Sequence, residues 1–133
     1  AMLCKYFGKQ MKERGYGKII NVSSTRGARA CLGGNASYCT TKGALDMLTR
    51  TAACDLGPEV CVNAIGPTNT VTPMMEDLIK EHPEILHLGD DKPLQRIGTV
   101  EDCMGPAVFL ASHASDFMTG QIVYADGGMT AIG

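Results

Sequence analysis

Three side chains of this 133-residue chain, Ser24, Tyr38 and Lys42, have the chemistry to move a proton on or off an alcohol oxygen. Tyr38 and Lys42 are four positions apart, which predicts that they share one face of a helix. An ammonium close to a tyrosine hydroxyl favours the phenolate and lowers its pKa from about 10, towards the range of a general base. A serine hydroxyl can hold the same oxygen by hydrogen bonding. Because no side chain transfers a hydride, such a site also implies a redox cofactor.

Helices and strands alternate in the pattern that must position these residues. Apolar residues recur at helical spacing in residues 1–14, 38–56 and 100–111, and Thr99 with Asp102 predicts a capping box for the last of these. Short β-branched runs predict buried parallel strands over residues 18–24, 60–65 and 122–125. In a parallel sheet the carboxyl ends of strands and the amino ends of helices meet at one rim, so Ser24 is expected to approach Tyr38.

The ends of the elements carry their own signals. Asn35 or Ser37 is expected to cap the second helix, and Gly57 to end it in a left-handed conformation before Pro58. Prolines and a glycine interrupt the segment from residue 74 to 97, which predicts short helices in a mobile flap.

Composition excludes several functional classes. The net charge is −2, which disfavours nucleic acid as a partner, and no apolar run reaches the roughly 18 residues of a membrane span. The first residues do not resemble a secretory signal, so we expect a cytoplasmic protein. The six cysteines have no zinc-site spacing, which predicts free thiols and no metal site. The same spacing disfavours a thiol or metal protein.

Four segments match family motifs in the same order: the serine-bearing strand of residues 18–24, the Tyr-x-x-x-Lys of residues 38–42, the strand and turn of residues 62–67, and the Asp-Gly-Gly of residues 126–128. On these motifs the chain resembles the C-terminal half of the short-chain dehydrogenase/reductase family. No Gly-x-Gly-x-x-Gly and no Thr-Gly-x-x-x-Gly-x-Gly motif occurs in the sequence.

The resemblance implies an α/β fold: the C-terminal half of a doubly wound, parallel, Rossmann-like sheet, with the N-terminal nucleotide-binding βαβ half absent. Residues 1–133 would form one partial catalytic domain with a substrate flap over residues 74–97. The strand of residues 18–24 would then become an apolar edge, which predicts either a less stable chain or pairing with another copy.

The resemblance also implies roles for individual residues. Tyr38 would be the acid/base, Lys42 would favour the tyrosinate and hold the nicotinamide ribose, and Ser24 would orient the substrate. Ser23 stays open as the alternative serine, because the serine-to-tyrosine spacing is one residue longer than the family's usual one. The NAD or NADP cofactor would contact Tyr38, Lys42, Pro67, Thr68, Thr70 and Thr72, with Thr68 standing where the family usually has glycine.

Residues 14–18, 105–112 and 124–133 are most similar to the gluconate 5-dehydrogenase type, which implies an alcohol or ketone substrate of the sugar-acid class. A 3-oxoacyl-carrier reductase, another sugar or polyol dehydrogenase, and a truncated non-catalytic chain that serves only subunit pairing remain alternatives. The family's usual subunit interface predicts a homo-oligomer through helices 1–14 and 38–56.

Overall fold

The computed structural model describes residues 1–31 and 34–132, with the side chain of Met74 left out. Its helices are α1 (Met2–Glu13), α2 (Ala36–Leu56), α3 (Glu76–Glu81) and α4 (Val100–Ala111), and its strands are β1 (Gly17–Val22), β2 (Val60–Pro67) and β3 (Ile122–Ala125). Short 3₁₀ turns cover Thr25–Gly27, Pro73–Met75, Pro83–Gly89 and His113–Ser115. Over the described ranges, every helix is too short or too polar to cross a membrane.

The strands form a parallel sheet in the order β1-β2-β3, which confirms the α/β prediction. Gly17 pairs with Val60 at the start of β1, and Ala64 pairs with Ile122 at the start of β3. The central strand β2 is buried along most of its length, as a strand covered on both faces requires. β1 has one hydrogen-bonded neighbour in the described sheet, so it is an edge strand, as expected.

The core lies where α1 and α2 pack against the first two strands. Ala52 and Ala53 of α2 contact Val60 and Val62 of β2, and three partly buried residues, Met11, Ile19 and Leu56, pack around them. The small alanine side chains let α2 pack closely against β2.

Two expected helix ends differ from those observed. α2 begins at Ala36; Asn35 occupies the N-cap position without a side-chain cap bond, and Ser37 lies inside the helix. Gly57 is extended (φ −66°, ψ 160°) rather than left-handed, so that prediction was wrong. The residue before a proline is driven towards extended conformations, and here this effect of Pro58 outweighs the usual glycine cap. Gly15, which ends α1, does have a positive φ of 78°.

The second half of the chain is partly as predicted. The predicted capping box is present: the Asp102 carboxylate accepts a hydrogen bond from the Thr99 N–H at 2.8 Å, and α4 starts at Val100. Along α4, Leu110 is fully buried whereas Val108 on the predicted apolar stripe is 68% exposed. The segment from 74 to 97 does contain short helices, and its mobility stays a prediction.

Candidate active site

A cavity of about 350 Å³ lies at the rim where β1 ends and α2 begins. It is lined by seven described residues with polar side chains: Ser24, Thr25, Arg26, Asn35, Tyr38, Thr68 and Asn69. The fold therefore brings Ser24 and Tyr38 to one cavity, although the residues between them have no regular periodicity.

The two neighbouring serines are turned in different directions. The Ser23 hydroxyl donates a very short hydrogen bond to the carboxyl group of Asp46, and both residues are 3% exposed. Ser24 faces the cavity, where its Oγ accepts from the Arg26 N–H at 3.2 Å. Ser24, rather than Ser23, is thus the serine beside Tyr38.

The turn after Ser24 lies directly against α2 because residue 27 is a glycine. A Cβ on Gly27 would overlap the Asp46 carboxyl group and come within 3.0 Å of the Lys42 carbonyl oxygen. Any larger residue would push the turn away from the helix. The close approach keeps Thr25 and Arg26 at the cavity wall.

Lys42 lies one helical turn beyond Tyr38. Its Nζ donates to the Val22 carbonyl oxygen at 2.9 Å and lies 5.6 Å from the centroid of the Tyr38 ring. That separation is within cation–π range. The lysine charge is consequently held next to the tyrosine by the end of β1.

The loop expected to bind the cofactor is only partly at the cavity. Pro67 ends β2, and Thr68 follows it into the cavity wall, where its hydroxyl donates to the Met129 sulfur at 3.0 Å. Thr70 donates instead to the Thr68 carbonyl oxygen at 2.9 Å and pairs with Gly98. Thr70 and Thr72 do not line the cavity in the described structure.

Four lining residues escaped the sequence analysis: Thr25, Arg26, Asn35 and Asn69. Asn35 was assigned a capping role, and the absence of a side-chain cap bond leaves its amide free to face the cavity. For the other three, the only signal in the sequence is that they lie close to the serine pair or to the turn at Pro67.

A second cavity of about 440 Å³ adjoins the first at Thr68. On its wall Arg96 holds Asp102 with two bonds of 2.6 and 2.7 Å, and this pairing keeps the pKa of Asp102 well below its usual range. Burial raises the pKa of Asp126, but hydrogen bonds from Thr130 and Gly128 outweigh burial and lower it. These carboxylates are therefore occupied in holding the wall together.

Comparison with known proteins decides the family. The family profile described as enoyl-(acyl carrier protein) reductase matches residues 1–130. L-xylulose reductase of Mus musculus is 41% identical over 125 residues, covering 92% of this chain and 51% of the mouse protein. The chain belongs to the short-chain dehydrogenase/reductase family.

Solved structures agree with this assignment. A Beutenbergia cavernae protein assigned as an NAD(P)-dependent gluconate 5-dehydrogenase, with bound NADP, is 36% identical with a TM-score of 0.86, covering 97% of this chain and 52% of that one. Gluconate 5-dehydrogenase of Burkholderia cenocepacia, in complex with NADP and tartrate, is 35% identical with a TM-score of 0.82, covering 94% and 49%. The chain spans about half the length of the curated relatives it matches.

The two serines of this short-chain dehydrogenase/reductase chain should differ in their effect on stability. Ser23→Ala leaves a buried oxygen of Asp46 without its donor and is expected to lower the free energy of unfolding by about 2–3 kcal/mol. Ser24→Ala removes only one turn-capping acceptor and should cost about 1 kcal/mol or less. Urea unfolding of the two variants measures the difference; an equal loss in both would contradict the assignment.

Proposed function

We propose that the intact protein interconverts an alcohol and a ketone with NAD or NADP. The observation that carries this proposal is that Ser24 and Tyr38 line one cavity while the Lys42 ammonium lies 5.6 Å from the Tyr38 ring. Together they can supply a proton donor, a positive charge beside it and a second hydrogen-bond donor for a carbonyl oxygen.

Each residue has a defined task in this mechanism. During reduction the Tyr38 hydroxyl gives its proton to the carbonyl oxygen, and during oxidation the tyrosinate removes the proton of the alcohol. The Ser24 hydroxyl donates a hydrogen bond to the same oxygen and fixes its position. Lys42 supplies a positive charge that favours the tyrosinate. Tyr38 is 46% exposed in the chain, so substrate can reach its hydroxyl.

The donors around the cavity suit the nicotinamide riboside part of the cofactor. The amides of Asn35 and Asn69 and the hydroxyl of Thr68 line the wall, and the Lys42 amino group lies beside it. Amides and hydroxyls match a carboxamide, and an ammonium matches ribose hydroxyls. When bound, nicotinamide supplies or accepts the hydride. We assign the diphosphate and adenosine contacts to the part of the relatives' length that this chain does not span.

For the substrate we propose a sugar acid. Arg26 lines the cavity next to Ser24, and no carboxylate pairs with it among the described residues. A guanidinium binds a carboxylate by two parallel hydrogen bonds, so Arg26 can hold the acid group while Ser24 and Tyr38 hold the reacting oxygen. The similarity to gluconate 5-dehydrogenases supports this class, and the similarity to L-xylulose reductase makes a neutral sugar the competing one.

Replacement of Tyr38 by Phe tests the chemistry. In the intact protein, Tyr38→Phe is expected to reduce kcat by about 10²–10⁴-fold because the proton donor is lost, while nicotinamide fluorescence still reports cofactor binding. Tyr16→Phe, whose hydroxyl donates to Asp116 away from the cavity, is the matched control and should leave kcat unchanged. Full turnover by Tyr38→Phe, or no binding of NADH or NADPH by the unmodified protein, would favour the non-catalytic alternative.

Replacement of Arg26 tests the substrate class. Arg26→Gln should raise KM for gluconate-type acids by about tenfold or more, the equivalent of roughly 1.4 kcal/mol, and leave KM for neutral sugars unchanged. Arg26→Lys should retain part of the affinity for acids. Arg50→Gln, on the exposed side of α2, should leave KM unchanged for both acids and neutral sugars. An equal effect of Arg26→Gln on acids and neutral sugars would argue against a carboxylate contact.

We also propose that the protein assembles with copies of itself through α1 and α2. A groove of about 660 Å³ runs between the two helices, with apolar Leu48 and Leu56 in its wall. Exposed apolar residues lie along the same helices: Met2, Leu3, Tyr6, Phe7 and Met47. Exposed apolar side chains grouped on neighbouring helices are typical of subunit interfaces.

Leu3→Glu tests this interface in the intact protein. Leu3 is 72% exposed, so the substitution should leave the fold unchanged and introduce an unpaired charge into the interface. We expect sedimentation velocity to show dissociation at concentrations where the unmodified protein is assembled. Phe117→Glu, at another exposed apolar residue, is the control. Dissociation by Phe117→Glu alone would place the interface elsewhere.

A further inference from the structure

Two cysteines lie together beside the turn of α2 that carries Tyr38. The Sγ atoms of Cys31 and Cys39 are 4.0 Å apart, and both thiols are partly buried. Both cysteines are free in the structure. A disulfide has an S–S length of about 2.05 Å, so the two sulfurs need to approach by only about 2 Å to form one.

The pair joins the first turn of α2, next to Tyr38 in the cavity wall, to Cys31, which lies five residues after Arg26 in the same wall. Cys39 follows Tyr38 in the first turn of α2, where its N–H donates to the Asn35 carbonyl oxygen at 2.9 Å. Cys31 follows the segment in which the Arg29 guanidinium donates to the Met129 carbonyl oxygen. A bond between the sulfurs would therefore close a covalent loop that contains both Asn35 and Tyr38.

We propose that Cys31 and Cys39 form a dithiol modification site that low-molecular-weight disulfides of the glutathione type oxidise to an intramolecular disulfide. One protein thiolate attacks the small disulfide, which breaks its S–S bond, forms a mixed disulfide and releases one small thiol. The second protein thiolate attacks the protein sulfur of that mixed disulfide and releases the second small thiol. The two protein sulfurs lose two electrons, and the small disulfide gains them together with the two protons.

The surroundings of Cys39 indicate how fast this exchange should be. Burial and the neighbouring Cys31 raise the pKa of the Cys39 thiol, while the charge of Arg26 acts in the opposite direction. The thiolate fraction is then small at neutral pH, so exchange is expected to be slow and to need time to equilibrate. An equilibrium measurement is consequently a better test than a rate.

The test equilibrates the chain with mixtures of reduced and oxidised glutathione, then acid-quenches it and labels free thiols with N-ethylmaleimide. Trypsin releases residues 30–42 as a peptide with Cys31 and Cys39 and no other cysteine. Oxidation should give an unlabelled peptide about 2 Da lighter than the unlabelled dithiol peptide, whereas the reduced form carries two N-ethylmaleimide labels. The ratio of disulfide to dithiol should be at least about tenfold higher in the folded chain than in denaturing urea, because the fold places the sulfurs together.

Three controls make the outcome decisive. The tryptic peptide of residues 51–80 also carries two cysteines, Cys54 and Cys61, and should keep both labels. Cys54→Ser should leave the 30–42 peptide unchanged, whereas Cys39→Ser should abolish its lighter form. A peptide that stays doubly labelled at every glutathione ratio, or an equal ratio in folded and unfolded chain, would overturn the proposal. Neither readout depends on cofactor or turnover, so failure of the proposed function would leave this test intact.

Discussion

The hydrogen bond between Ser23 and Asp46 is the contact on which the arrangement of the site depends. Both residues are 3% exposed, and a buried carboxyl group is stable only with a donor in place. The bond therefore fixes the end of β1 against α2. Ser24 follows in the chain and is turned to the cavity, while Tyr38 and Lys42 lie on the preceding turns of the same helix face as Asp46. A contact outside the chemistry thus sets the geometry of the three residues proposed to perform it.

Much of this arrangement follows from local patterns in the sequence. Four-residue spacing is enough to place Tyr38 and Lys42 on one face, and the buried apolar run of β2 is enough to predict a central parallel strand. The place of Thr25 and Arg26 in the cavity wall was not predictable, because it depends on Gly27 packing against a helix that is distant in sequence. Thr70 was predicted from the family resemblance alone; its backbone pairs with Gly98, its hydroxyl donates to the Thr68 carbonyl oxygen, and its contact with the cofactor stays a prediction.

The edge position of β1 affects the stability of this chain, which is about half as long as its relatives. One side of β1 pairs with β2, and Val22 at its end is 64% exposed. Unpaired apolar edges promote association, so a chain with this sheet alone is expected to pair or to be less stable than its length suggests. The relatives are about twice as long as the chain. The serine, tyrosine and lysine proposed to perform the chemistry are present here, whereas the glycine-rich phosphate motif is not in the sequence.

The charges at the cavity all favour an anionic ligand, although the chain as a whole carries a net charge of −2. Arg26 lines the wall, Lys42 lies beside Tyr38, and the amino end of α2 adds the positive end of the helix dipole. Of the described lining residues none is acidic, since the nearby Asp46 is turned inwards to Ser23. Such a field suits the carboxylate group proposed for the substrate. The bond that holds Ser23 therefore also keeps the Asp46 carboxyl group out of the cavity wall.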